Sequence, residues 1–253
     1  MKVTNTPSLN PRFSKGIAKI KELAKEPRYQ SAFIFGSVAE GTSNKMSDLD
    51  VKVIVDNDSD CENINHPNID DYKLDITFRS FDQIKDFTYD EIKKAEREPN
   101  LVRGVILFDK TGELTKLKQE IRDTKPPKYK QKDYQFVQFM LYHANNKVER
   151  FLRDDPEASL YSMHANIGEV LKIHFKLNGR WWVSSKNVIR SLDQWDKSLA
   201  SLVRSFVKSS DIDDKFSLWS KIIDHVSKPM GGRQPIAENN CNCSICKQDL
   251  ELL

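Results

Sequence analysis

Phe33-Ile34-Phe35-Gly36-Ser37-Val38-Ala39-Glu40-Gly41-Thr42, continued by Ser47-Asp48-Leu49-Asp50-Val51, is the stretch on which the reading of this chain turns. Ala32 to Phe35 form a short apolar run that reads as a buried strand, and it ends abruptly in Gly-Ser. Leu49, Val51, Val53 and Val55 alternate with Asp50, Lys52 and Ile54, the period of a strand with one core face. Residues i and i+2 of a strand share a face roughly 6.5–7 Å apart, so the spacing offers the Asp48 and Asp50 carboxylates to one volume. Two carboxylates in one place repel unless a cation joins them. Mg²⁺ takes few carboxylates and completes its shell with water and phosphate oxygens. Gly36 lets the backbone approach a phosphate, and the Gly36 and Ser37 N–H groups and the Ser37 hydroxyl are donors for it.

Working outward, Leu74, Ile76 and Phe78 alternate with Asp75 and Thr77, a second half-buried strand. If it pairs beside 49–55, Asp75 joins the acidic group as a further metal ligand or as a base for an attacking hydroxyl. Phe13, Ile17, Ile20 and Ala24 predict a helix over 13–25. Ser80 with Gln83 predicts a capping box opening a helix over 81–95, and Val105 to Phe108 a strand followed by a helix over 112–123.

Lys125-Pro126-Pro127-Lys128 breaks the chain. Beyond it the apolar period is helical, with helices expected over 131–153, 157–177, 187–192, 196–208 and 213–227. Asn178-Gly179 closes the second of these. Pro229-Met230-Gly231-Gly232 opens an irregular tail. The expected organisation is α+β: a catalytic domain over 1–125 with a mixed sheet and flanking helices, a helical bundle over 126–228, and a cysteine-containing tail over 229–253.

Gly36-Ser37, Asp48-x-Asp50 and Asp75 on a following strand together resemble the nucleotidyltransferase signature of the DNA polymerase β superfamily. The resemblance spans about residues 30–110. A small nucleotidyltransferase domain followed by helices is similar to the aminoglycoside and lincosamide nucleotidyltransferases. Phe175-Lys176-Leu177-Asn178-Gly179-Arg180-Trp181-Trp182, with Ser185-Lys186 after it, looks like a motif in the helical half of such proteins. The resemblance implies transfer of a nucleoside monophosphate from an NTP, with ATP the expected donor, to a hydroxyl of a small molecule such as an antibiotic, releasing pyrophosphate. It implies that Asp48 and Asp50 bind Mg²⁺, with Asp75 completing the cluster, and that Gly36 and Ser37 hold the triphosphate. Some relatives take a general base from the helical domain, which points to Glu169, with Glu149 second and Asp75 as the alternative. Some complete their site across a dimer, which implies a homodimer.

Lys172, one turn beyond Glu169, and Lys186 are candidate phosphate contacts. Trp181-Trp182 reads first as a cap on the helical core and second as a stacking platform. The same residues fit two other readings. One is nucleotidylation of a macromolecule, a tRNA or a protein hydroxyl, for which the helical segment's 17 basic against 12 acidic residues over 126–228 is the one supporting feature. The other is a non-catalytic NTP sensor.

Cys241-x-Cys243-x-x-Cys246 places three thiols within six residues, fewer than the four ligands a structural Zn²⁺ prefers, with His225 or Cys61 as candidate fourth ligands. His143, His164 and His174 fall at no metal spacing and read as ordinary helix residues. The polar N-terminus and the want of an apolar run of about 18 residues lead to the expectation of a cytoplasmic protein without a membrane partner.

Overall fold

The computed structural model describes residues 9–62, 67–94 and 97–233. The chain divides at Lys125 into two compact units. Together they give an α+β architecture, a mixed sheet with helices followed by helices alone.

In the first unit, α1 (Ser14–Glu22) runs between two 3-10 turns into β1 (Tyr29–Phe35). A single turn, α2 (Gly36–Ala39), separates β1 from β2 (Leu49–Val55). Then come β3 (Asn68–Ile69), β4 (Tyr72–Ser80), α3 (Phe81–Lys94), α4 (Asn100–Arg103), β5 (Val105–Asp109) and α5 (Glu113–Ile121). The five strands lie in the order β3-β4-β2-β1-β5, with β2 and β4 parallel and the other neighbours antiparallel.

The alternation read in 49–55 puts Leu49, Val51 and Val53 on one face with Ala32, Ile34 and Leu74, against Phe13, Ile17 and Ile20. Phe33 and Ile54 face the other way, into Ile84, Leu101, Leu114, Leu117 and Ile121 of α3, α4 and α5. Helices thus cover both faces. The capping box at the start of α3 forms as expected: Gln83 N donates to Ser80 Oγ at 3.2 Å, and Ser80 N donates to Gln83 Oε1 at 3.0 Å. β3, α2 and α4 were not expected. Each is too short for periodicity to register.

The second unit contains α6 (Tyr134–Phe151), α7 (Pro156–Leu177), α8 (Val188–Trp195), α9 (Lys197–Lys208) and α10 (Ile212–Ser227). Asp155, Asp196 and Asp211 cap α7, α9 and α10, each side chain accepting an N–H of the first turn. α7 ends in a Schellman motif: Arg180 N donates to Phe175 O at 2.9 Å and Gly179 N to Lys176 O at 3.1 Å. Met163, Phe175, Phe206 and Trp219 form the centre of the core. Trp182 packs edge-on to Phe175 at 5.1 Å, so this tryptophan is part of the helical core, as its first reading has it. No helix among the described residues is long and apolar enough to cross a membrane.

Candidate functional site

The parallel ladder between β2 and β4 sets Asp50 directly opposite Asp75. On the other side of β2, Asp50 is opposite Phe35, the last residue of β1. Neighbouring strands are about 4.8 Å apart, and residues in register project from the same face, so the register alone brings the two carboxylates together. The chain then turns at Gly36, whose φ of +66° is left-handed. A Cβ there would fall inside contact distance of Asp50 Oδ2 and 3.3 Å from its Cγ. Position 36 thus needs glycine twice, for the backbone and for the carboxylate against it. Ser37 follows in the turn α2, where its carbonyl accepts from Thr42 N at 2.9 Å.

Asp48 lies two residues before Asp50, exposed, just ahead of β2. The loop that delivers it is tied from within and from outside. Asn44 N donates to Ser47 Oγ at 2.9 Å and Met46 N to Asn44 Oδ1 at 2.8 Å. Arg12 donates to Asn44 O at 3.0 Å and also pairs with Asp71. The Ser- and Asn-rich turn is therefore a built structure that ends at the strand carrying Asp50.

Two residues along β2 from Asp50, on the same face, stands Lys52. Its ammonium lies 3.7 Å from the Phe87 ring centroid and 5.4 Å from that of Phe35. Burial pushes its pKa down to about 8 from the usual 10.5, against the pull of Glu91 and with a push from Arg79. Glu91, from α3, is raised by burial, with Lys52 opposing. Asn100 holds it through its N–H and side-chain amide at 3.3 and 3.1 Å. The strand alternation placed Lys52 beside Asp50. That α3 would lie over it was not legible, because helix packing across a sheet leaves no local signature.

Residues 18–98 match the family described as Polymerase beta, Nucleotidyltransferase. This nucleotidyltransferase domain takes in Gly36, Ser37, Asp48, Asp50, Lys52, Asp75 and Glu91, and ends before the helical unit. A solved nucleotidyltransferase-like protein from Exiguobacterium sibiricum 255-15 is similar at 12% identity and a TM-score of 0.44, covering 86% of this chain and 74% of that one. A likeness that distant carries no argument. Comparison with curated proteins found no match.

The remaining candidates lie in the helical unit. Glu169 is exposed on α7 and pairs with Lys172 at 2.7 Å, so these two side chains engage each other. Lys186 is exposed in a 3-10 turn before α8. Cys241, Cys243 and Cys246 lie outside the described residues.

The helical unit also holds a group that sequence spacing missed. His174 Nε2 and His225 Nε2 lie 2.9 and 2.8 Å from the same oxygen, Asp196 Oδ2. The other oxygen caps α9 by accepting from Leu199 N at 3.0 Å. Burial works to raise the Asp196 carboxyl, but the Leu199 N–H and the two imidazoles outweigh it and hold it below the usual range. Burial holds His174 below the usual imidazole range, against the pull of Asp196. The sequence signals were Asp196 at a helix start and His225, expected as a candidate fourth ligand for the tail cysteines; the structure sets His225 against Asp196 instead.

Proposed function

We infer that the protein is a Mg²⁺-dependent nucleotidyltransferase that moves a nucleoside monophosphate, with ATP the expected donor, from an NTP to a hydroxyl of a small molecule, an aminoglycoside- or lincosamide-like acceptor. The observation that carries this reading is Asp50 in register with Asp75, with the Cβ-less Gly36 against the Asp50 carboxylate. It sits inside the segment that matches the nucleotidyltransferase family.

The residues fit the metal. The donors are hard carboxylate oxygens, the chemistry Mg²⁺ selects. The space beside Asp50 Oδ2 is one that any residue but glycine at position 36 would fill. Asp50 and Asp75 would hold the ion, with Asp48 beside them. When bound, Mg²⁺ neutralises phosphate charge and orients the triphosphate. The chain's own part is positioning. Gly36 and Ser37 offer backbone N–H groups and a hydroxyl to phosphate oxygens, and a carboxylate accepts the proton of the acceptor hydroxyl. Asp75 and Glu169 are the candidates for that base. Little covalent help is needed, because placement and charge neutralisation lower most of the barrier in phosphoryl-group transfer.

The test is pyrophosphate release with each of ATP, GTP, CTP and UTP plus Mg²⁺, against aminoglycosides, lincosamides and bulk tRNA. Asp50→Asn/Asp75→Asn protein is the control. Release with one small-acceptor class, lost in the control, supports the reading. Release with tRNA alone, falling steeply with salt, would move the acceptor to a macromolecule. Mg²⁺-dependent NTP binding without release from any acceptor would favour a sensor.

A further inference from the structure

We propose that His174, Asp196 and His225 form a binding site for one divalent transition-metal ion, Zn²⁺ by its chemistry, that ties together α7, the start of α9 and α10. This does not rest on the proposed transfer reaction. One ligand atom from each residue lies within 4.8 Å of the other two, and this is the group among the described residues that could hold such an ion.

The donor set is two imidazoles and one carboxylate. Imidazole nitrogen suits Zn²⁺ far better than Mg²⁺ or Ca²⁺, which prefer all-oxygen shells. Zn²⁺ bonds to His and Asp are about 2.0–2.2 Å, so a tetrahedral ion wants its ligand atoms roughly 3.3 Å apart. The contacts of 2.9 and 2.8 Å require only a small opening. A hydrogen-bonded staple needs one imidazole on Asp196 Oδ2; here there are two. His174 Nδ1 is buried and has no hydrogen-bond partner, so this imidazole is incompletely satisfied whichever nitrogen carries its proton. Metal ligation moves that proton from Nε2 to Nδ1, so the ion would replace the hydrogen bond from Nε2 to Asp196 Oδ2 with a metal bond, and no hydrogen bond at Nδ1 stands in the way.

The ligands are held in place before any ion arrives. Trp195 stacks on the His174 ring at 5.1 Å and 11°, and the cap to Leu199 N fixes Asp196. His225 also lines a hollow of about 580 Å³ with Lys221, Asp224 and Lys228, which gives an entry path and a source of water for the remaining coordination. Asp224 is taken up there by Arg233, at 2.6 and 2.8 Å.

The experiment is Zn²⁺ titration of the full chain, by calorimetry and thermal unfolding, with Co²⁺ absorption as the spectroscopic readout. It is done in a Cys241→Ser/Cys243→Ser/Cys246→Ser background, so that tail thiols cannot account for binding. One ion per chain is expected, with a Co²⁺ spectrum lacking thiolate charge-transfer bands. Saturating Zn²⁺ should raise the unfolding midpoint by about 5–10 °C. Asp196→Asn keeps a capping side chain and removes the carboxylate, and His225→Gln changes a half-exposed position. Both should fold, by far-UV circular dichroism. Each should weaken Zn²⁺ by more than the about 10–100-fold that losing an outer-sphere partner costs. Binding only when the tail cysteines are present, or binding that both variants retain, would overturn the proposal.

Discussion

In the sheet unit, Asp50 and Asp75 meet across one step of a parallel ladder. In the helical unit, His174 and His225 reach Asp196 from 22 and 29 residues away, each on a different helix. The first group follows from a period of two and one strand pairing. The second depends on how three helices cross, which no local pattern encodes. The difference also lies in what surrounds the charge. On the β2 face an ammonium is buried over aromatic rings beside the acids. In the helical unit two imidazoles share one carboxylate oxygen.

The largest expected effect falls on the sheet group. Asp50→Asn and Asp75→Asn should each reduce turnover by about 10³-fold or more, since metal-centred charge stabilisation is worth several kcal/mol at about 1.4 kcal/mol per decade. Steady-state pyrophosphate release measures both. Full turnover in either variant would remove that carboxylate from the transfer site.

The same contrast explains what sequence could supply. Asp50, Asp75 and Gly36 were legible because a strand's alternation fixes the face and the Gly-Ser break fixes the end. The helices of the second unit were legible for the same reason of period, to within a few residues. His174 gave no signal, since an imidazole inside an apolar helix stripe looks like any core residue until its neighbours are known. Lys52 was placed on the right face but its cover, Phe87 and Glu91 of α3, was not. Glu169 and Lys172 fit a helical surface pair as readily as a site, and an i,i+3 ion pair is what they make.

Gly36→Ala comes next in size. The left-handed backbone alone should cost about 1–2 kcal/mol, and the added Cβ would displace the Asp50 carboxylate. Turnover should fall together with stability. All four tryptophans, Trp181, Trp182, Trp195 and Trp219, lie in the helical unit. Fluorescence therefore reports that unit, whereas far-UV circular dichroism reports both. A denaturant midpoint lowered by circular dichroism and unchanged by fluorescence is the expected result. An equal shift in both would mean that the units unfold as one.

Lys52→Met should act in opposite directions on the two properties. Met keeps the length and apolar contact with Phe87 while removing a charge whose burial costs more than the attraction of Glu91 returns, so stability at neutral pH should rise. Turnover should fall, because the cation beside the acidic pair is lost. A gain in stability with full activity would mean that Lys52 serves only the packing of α3.

The smallest effect is expected in the helical unit, at His164 and Lys215. Lys215 is only 5% exposed, and its Nζ is 3.1 Å from His164 Nε2. An ammonium has only donors, so it must donate to this nitrogen, which puts the imidazole proton on Nδ1 and keeps the ring neutral. Both groups lie against Phe206, at 5.1 Å to its ring, and no acid faces them among the described ion pairs. Burial lowers the His164 pKa from 6.5, and the Lys215 charge lowers it further. The native state therefore binds fewer protons than the unfolded chain just below pH 6.5. This contribution to stability is present above that pH and is lost as pH falls toward the lowered native value. Nitrogen chemical shifts of the imidazole should give the Nδ1–H form at pH 7 and a midpoint below 6.5. Lys215→Met should move that midpoint upward and flatten the acid side of the fluorescence-detected stability profile. If His164 instead titrates at its ordinary value in the parent chain, the contact to Lys215 is absent in solution, and this buried lysine has some other partner.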